Sequence, residues 1–125
     1  GDVTAFYSDE RLKTRTGIIE NAMEKVRSLE GFYYTENSVA KSLGYNNDKL
    51  QVGLSAQQVE SIMPEAVSRA PVDIDFDEEG NEVSKTGENY LTVNYSKLVP
   101  LLLEGIKEQQ DKIEELTERI GKLEE

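Results

Sequence analysis

The most regular pattern in the chain is a heptad repeat near its C-terminal end. Apolar residues recur there at alternating spacings of four and three, the period of helices that supercoil around one another. With isoleucine at position a, position d holds leucine or Gln109. A single helix packed on its own domain would rarely keep this period. The pattern predicts a coiled-coil helix with Ser96 as its cap, Pro100 in its first turn, and an apolar stripe formed by Leu102, Ile106, Gln109, Ile113, Leu116, Ile120 and Leu123.

Pairs of oppositely charged residues are predicted on the remaining faces of this helix. The expected pairs are Glu108–Lys112, Glu115–Arg119 and Glu118–Lys122, each with the acid four residues before the base. They support a helix whose polar face is in water.

Shorter helices and strands are predicted upstream, because apolar residues recur at helical spacing in some segments and alternate with polar residues in others. Helical spacing begins at Ile18, with Gly31 as the stop. A second helix begins with Ser55 as its cap and Gln58 completing a capping box, and Pro64 ends it. In order, we expect a helix over 18–29, a strand over 32–35, a polar loop over 36–48, a strand over 50–54, a helix over 55–63 and a last strand over 90–93.

An acidic segment over 73–88 contains seven carboxylates and one lysine. Asp73, Asp75 and Asp77 alternate with apolar residues before a turn at 78–81. An EF-hand loop counted from Asp73 fails, because its sixth and twelfth positions hold Glu78 and Ser84 instead of glycine and glutamate. We therefore predict a projecting β-hairpin with its carboxylates in water.

Composition limits the fold and the chemistry. The 125 residues suffice for one domain, and a hydrophobic share of 37% beside a charged share of 31% predicts a modest core and favours oligomerisation. The chain has no cysteine and no histidine, and we expect neither a metal site nor a cofactor. A net charge of −11 argues against nucleic acid as a partner, and no apolar run is long enough to predict contact with a membrane.

A candidate for chemistry lies near the start of the chain. Ser8 and Lys13 place a hydroxyl and an amine five positions apart, with Asp9 and Arg11 between them. A serine becomes a nucleophile when a base takes its proton, and lysine can do so where burial keeps it neutral. Spacing alone makes this weak evidence, since serines lie near lysines in many chains.

Three segments that occur in a fixed order along the chain strengthen the catalytic interpretation of Ser8 and Lys13. They are Ser8-Asp9-Glu10-Arg11-Leu12-Lys13, then Val52 to Glu60 with Met63-Pro64-Glu65-Ala66-Val67, and then Leu91 to Leu102 before the heptads. Together they resemble the C-terminal intramolecular chaperone, or auto-processing, domain of bacteriophage endosialidases, tail spikes, tail fibres and neck appendages. A similar domain occurs in a membrane-bound transcription factor of animals. The resemblance extends from Ser8 to the end of the chain.

The resemblance implies a domain that trimerises, assists folding of an upstream β-stalk of the same polypeptide, and then releases itself through a Ser/Lys dyad. Carried over, the dyad is Ser8 and Lys13, with Arg11 and Asp9 as supporting residues. The implied scissile bond is Ser8–Asp9, although attack on the Tyr7 carbonyl through a five-membered transition state is chemically easier. Isoleucine at a with leucine at d favours two parallel helices, whereas the resemblance implies three, and we expect the homotrimer.

We accordingly predict an α+β fold of short strands and amphipathic helices, with a projecting acidic hairpin and a long C-terminal helix. The expected division is the end of a stalk or linker over 1–7, a chaperone domain over 8–97 and a trimerisation helix over 98–125. The implied location is a virion precursor in the host cytoplasm, from which the domain is released. The alternatives are a trimerisation cap that does not cleave and the self-cleaving domain of a transcription factor.

Overall fold

A computed structural model of the chain describes residues 7–125, and the predicted stalk or linker therefore lies, except for Tyr7, outside the described residues. The described part is a mixed α and β structure, as predicted, with short strands and one long helix. The helices are α1 (Ala22–Arg27), α2 (Ser38–Ser42), α3 (Ala56–Ile62) and α4 (Val99–Leu123). The strands are β1 (Phe32–Tyr34), β2 (Gln51–Gly53), β3 (Val67–Arg69), β4 (Ile74–Phe76), β5 (Glu82–Ser84) and β6 (Leu91–Val93).

The strands form three separate antiparallel ribbons, which pair β1 with β2, β3 with β6, and β4 with β5. The predicted pairing of the strands near Phe32 and Val52 is confirmed, with Tyr33 opposite Val52. Gly53 is needed in this ribbon, because a Cβ there would lie 3.0 Å from the Tyr34 ring and 3.1 Å from the Tyr95 hydroxyl. The absence of a side chain lets Tyr95 reach the ribbon and accept a hydrogen bond from the Leu54 N–H at 3.0 Å.

Helix α1 is shorter than the predicted helix over 18–29. Asn21 has a left-handed backbone conformation, with φ of 53°, and helical structure begins only after it. Its first amides are capped by a distant carboxylate, since Glu108 accepts from Ala22 N–H at 2.7 Å and from Met23 N–H at 3.0 Å. At the other end Ser28 is the cap, and Gly31 is not the stop.

The predicted loop over 36–48 contains the short helix α2, which the polar composition concealed. Asn37 caps this helix, because its side-chain oxygen accepts from the Ala40 N–H at 2.9 Å.

Helix α3 begins and ends where the sequence predicts. Ser55 is its cap, and its hydroxyl accepts from the Gln58 N–H at 3.2 Å. The second half of the capping box is wrong, since the Gln58 side chain donates to Glu30 at 3.1 Å. Pro64 opens a 3₁₀ turn immediately after the helix.

Helix α4 follows a 3₁₀ turn, Tyr95–Leu98, so Ser96 lies within that turn and is not the helix cap. Pro100 lies in the first helical turn, as predicted. On the polar face, the predicted pair Glu118–Lys122 forms at 3.6 Å. The other two predicted pairs are wrong for the described residues: Lys112 pairs with Glu115 at 3.3 Å, Glu108 caps α1, and Arg119 forms no ion pair with Glu115.

The core is small, as the composition predicts. Leu98, at the end of the 3₁₀ turn, and Leu101, in the first turn of α4, contribute to it beside residues of α1 and α3. The boundary expected at residue 98 stays a prediction, but this part of α4 shares the core of the globular part. Within residues 7–125 the buried hydrophobic residues are Ala22, Val59, Ala66, Ala70, Leu98 and Leu101.

The acidic segment forms the predicted hairpin, with Asp75 and Asp77 exposed. Asp73 departs from the prediction, because its carboxylate is fully buried at the base of the hairpin. It accepts from Ser84 Oγ at 2.7 Å, from the Thr86 N–H at 2.7 Å and from the Tyr90 N–H at 3.0 Å. Burial raises the pKa of Asp73, but these hydrogen bonds together lower it by a larger amount. The net pKa therefore lies below the ordinary value for aspartate.

We expect Asp73→Asn to destabilise the fold, because an amide NH₂ cannot accept the hydrogen bonds that one carboxylate oxygen accepts. The melting temperature should fall by roughly 5 to 15 °C. The lowered pKa means that the carboxylate's contribution is complete above the ordinary Asp pKa of about 3.9 and is lost as the pH falls below it. Thermal melts from pH 7 to pH 3 should therefore show a flatter acid limb for the variant. Asp75→Asn, on the exposed face of the same hairpin, is the control and should match the wild type.

Candidate functional site

The segment that carries the proposed chemistry is a capped 3₁₀ turn, Glu10–Leu12. Asp9 caps it by accepting from the Arg11 N–H at 2.9 Å. The same carboxylate forms an ion pair with the Arg11 guanidinium, whose Nη2 lies 2.8 Å from Asp9 Oδ2. The hydrogen bond from the Arg11 side chain is the main reason that the pKa of Asp9 lies below its ordinary value. Asp9 is thus engaged with Arg11 and not with Lys13.

Ser8 and Lys13 flank this turn. Ser8 precedes the capping residue, and the Lys13 N–H closes the turn by donating to the Glu10 carbonyl at 3.1 Å. Both side chains are exposed, and among the described residues no hydrogen bond joins the Ser8 hydroxyl to the Lys13 amine. The single chain therefore places the two groups at the ends of one turn, but it does not desolvate the lysine.

The heptad stripe of α4 is also exposed in the single chain. Ile106 is 64% exposed and Ile113 is 56% exposed, and the other apolar residues of the stripe are exposed as well. Past Glu108, every residue of α4 is exposed, so the distal part of the helix has no contact with its own globular part that would cover it. A row of exposed isoleucine and leucine on a helix of 25 residues is typical of a coiled-coil seam without its partner.

Glu108 is a residue that the sequence analysis misassigned. It was expected to pair with Lys112 on the helix surface, yet it reaches α1 across 86 residues of chain. Its hydrogen bonds to the first amides of α1 tie the segment that follows the Ser8–Lys13 turn to α4. Local sequence carries no signal for such a contact, since capping carboxylates are recognised only when they are close in sequence.

Comparisons with known proteins add to this geometry. Residues 8–68 match the family described as chaperone of endosialidase, a match that begins at Ser8. This match and the relatives described next support a C-terminal chaperone domain of a phage tail fibre.

Two relatives of this chain are phage tail fibre proteins. The long tail fiber protein Gp37 of Enterobacteria phage K3 is 31% identical over 113 residues, which are 90% of this chain and 8% of the relative. The protein of the same name from Enterobacteria phage M1 is 36% identical over 110 residues, which are 87% of this chain and 38% of the relative. The chain thus spans less than two fifths of the length of either relative.

Within the described residues, no helix is both long and apolar enough to cross a membrane.

Proposed function

We propose that this domain is the intramolecular chaperone of a phage tail fibre, that it works as a homotrimer, and that it releases itself from the upstream β-stalk by autoproteolysis. The observation that carries the proposal is the exposed heptad stripe of α4, attached to a globular part with a small core. The match of residues 8–68 to the chaperone-of-endosialidase family and the two tail fibre relatives support the same role. The domain acts on a virion precursor in the host cytoplasm and leaves after cleavage.

The stripe explains how the chaperone acts. Long-range pairing makes a β-stalk of three chains slow to nucleate, since loop-closure entropy opposes contacts between distant residues. A parallel trimer of α4 helices brings the three chains together in register and raises their effective concentration to roughly millimolar. Gln109, at a d position of the stripe, fixes that register at some cost in stability.

The proposed chemistry is a single acyl transfer by Ser8. Assembly buries Lys13 and lowers its proton affinity, so that the neutral amine takes the proton of Ser8 Oγ. The oxygen attacks a backbone carbonyl, an ester forms as the peptide nitrogen leaves with a proton, and water hydrolyses the ester. Arg11 is a candidate for stabilising the oxyanion, although Asp9 holds its guanidinium in the single chain. The scissile bond is Ser8–Asp9 or Tyr7–Ser8.

Release of the domain from the folded stalk changes the stability of the fibre. After the stalk has folded, loss of the trimeriser removes the template for refolding while the intertwined chains remain. The mature fibre is then stable because its unfolding is slow.

A second candidate is a trimerisation cap that does not cleave. It is favoured by the exposed positions of Ser8 and Lys13, which share no hydrogen bond in the described part of the chain. In this case Asp9 and Arg11 only stabilise a surface turn.

The oligomer is tested by sedimentation equilibrium of the isolated chain at micromolar concentration. We expect about three times the 14.1 kDa of one chain. A dimer would show that the a/d preference of the heptads determines the assembly, and a monomer would contradict the proposed chaperone mechanism.

A further inference from the structure

An apolar groove lies between α1, the start of α4 and the β1–β2 ribbon. Its volume is about 440 Å³. The hydroxyl of Tyr95, a polar group at its wall, is already bonded to the Leu54 N–H. Val52, at its edge, is 71% exposed. Its main apolar walls are Val26, Leu29, Val52, Leu54, Leu98 and Leu102.

The groove is continuous with the proposed trimer seam. Leu102 is both a groove wall and the first d position of the stripe. Beside it, a smaller cleft of about 180 Å³ includes Val26, Gly105 and Ile106 and extends along the same flank of α4. The apolar surface that the single chain leaves open therefore extends sideways from the seam onto the globular part.

Beside the groove, the two flanks of α4 differ in how far they are buried. Gly105, at heptad position g, is buried against Ala22 and Val26 of α1. Leu103, at position e on the other flank, is 57% exposed. Positions e in coiled coils commonly hold charged residues, so an exposed leucine there indicates a contact beyond the seam.

Heptad geometry relates this leucine to the groove of a second copy. In a parallel coiled coil, position e of one heptad faces position g of the preceding heptad on the neighbouring helix. One heptad before Gly105 this relation reaches the 3₁₀ turn Tyr95–Leu98, so residue 103 of one chain lies beside the N-terminal end of α4 of the next. Leu98 is a wall of the groove.

We propose that the groove is the docking site for Leu103 of a second copy of this chain. The inference rests on the proposed trimer and adds to it a contact outside the helical seam. Each chain contributes one knob, Leu103, and one groove, so the contact is heterologous and closes into a ring of three. It couples the globular parts, which the distal helices alone would leave independent.

Cysteine cross-linking tests the contact directly, because the natural chain has no cysteine. In the variant with Leu103→Cys and Val52→Cys, oxidation with copper phenanthroline should give three covalently linked chains on a non-reducing denaturing gel. A bond within one chain would leave a monomer band and would overturn the proposal, as would linked pairs without linked trimers. The matched control combines Leu103→Cys with Phe76→Cys, on the exposed acidic hairpin, and should remain monomeric on the gel.

Sedimentation of the same samples separates the two proposals. A trimer without cross-linking would overturn the Leu103 contact and leave the proposed function intact. A monomer would overturn both.

A substitution pair measures the strength of the contact. Leu103→Asn should weaken assembly roughly ten- to hundred-fold per docked leucine, because an apolar side chain is lost from a groove. Thr117→Asn places the same residue at position e two heptads later, beyond the groove, and should leave assembly unchanged. Circular dichroism should show both chains equally helical. Equal weakening by the two variants would contradict the groove contact.

Discussion

Ser8→Ala in the chain joined to its upstream stalk should lower the rate of self-cleavage by a factor of about 10³ or more, because the attacking oxygen is lost. Folding and assembly should be unchanged, since the Ser8 side chain is exposed. Lys13→Arg should be nearly as inactive, because a guanidinium keeps its proton at any working pH and cannot serve as the base. Denaturing gels over time measure the loss of the uncleaved chain.

Two substitutions on α2 provide matched controls for this result. Ser38→Ala and Lys41→Arg make the same chemical changes at exposed positions away from the turn. Both should cleave at the wild-type rate. Cleavage of the Ser8→Ala chain at the wild-type rate would contradict Ser8 as the nucleophile.

Mass spectrometry of the released fragment identifies the bond. A fragment that begins at Asp9 indicates cleavage of Ser8–Asp9. A fragment that begins at Ser8 indicates attack on the Tyr7 carbonyl through the five-membered transition state.

Ile113→Asp should abolish assembly at micromolar concentration, with a dissociation constant raised at least about 10³-fold, because an unpaired carboxylate from each chain would enter an apolar seam. The globular part should stay folded, since Ile113 is exposed in the single chain and lies beyond the core. Self-cleavage should slow with the loss of assembly, because Lys13 then remains hydrated and protonated. Sedimentation and the cleavage gel measure the two effects on one preparation.

Thr117→Asp is the control for this change. It introduces the same carboxylate one helical turn later and off the stripe. It should assemble and cleave like the wild type. Normal cleavage by a monomeric Ile113→Asp chain would show that the Ser8–Lys13 site does not depend on assembly.

The elements that the sequence predicts correctly are those whose cause is local. The heptad period of α4, the Ser55 cap of α3 and the pairing of the strands near Tyr33 and Val52 each depend on residues a few positions apart or on one short alternation. The Ser8–Lys13 motif is local as well, but the dyad stays a prediction. It was recognised as part of an ordered set of motifs, and the spacing of its residues alone would not have distinguished it from a surface turn.

Other features were decided by tertiary structure, because their causes lie far apart in the chain. Helix α1 begins where Glu108, 86 residues away, meets its first amides. Asp73 was predicted to be in water like its neighbours, but Ser84, Thr86 and Tyr90 surround its carboxylate only after the hairpin closes. The periodicity of the sequence by itself determined that α4 carries an apolar stripe. Only the tertiary structure shows that α1 covers one flank of that helix and leaves Leu103 exposed on the other, because burial depends on which elements pack together.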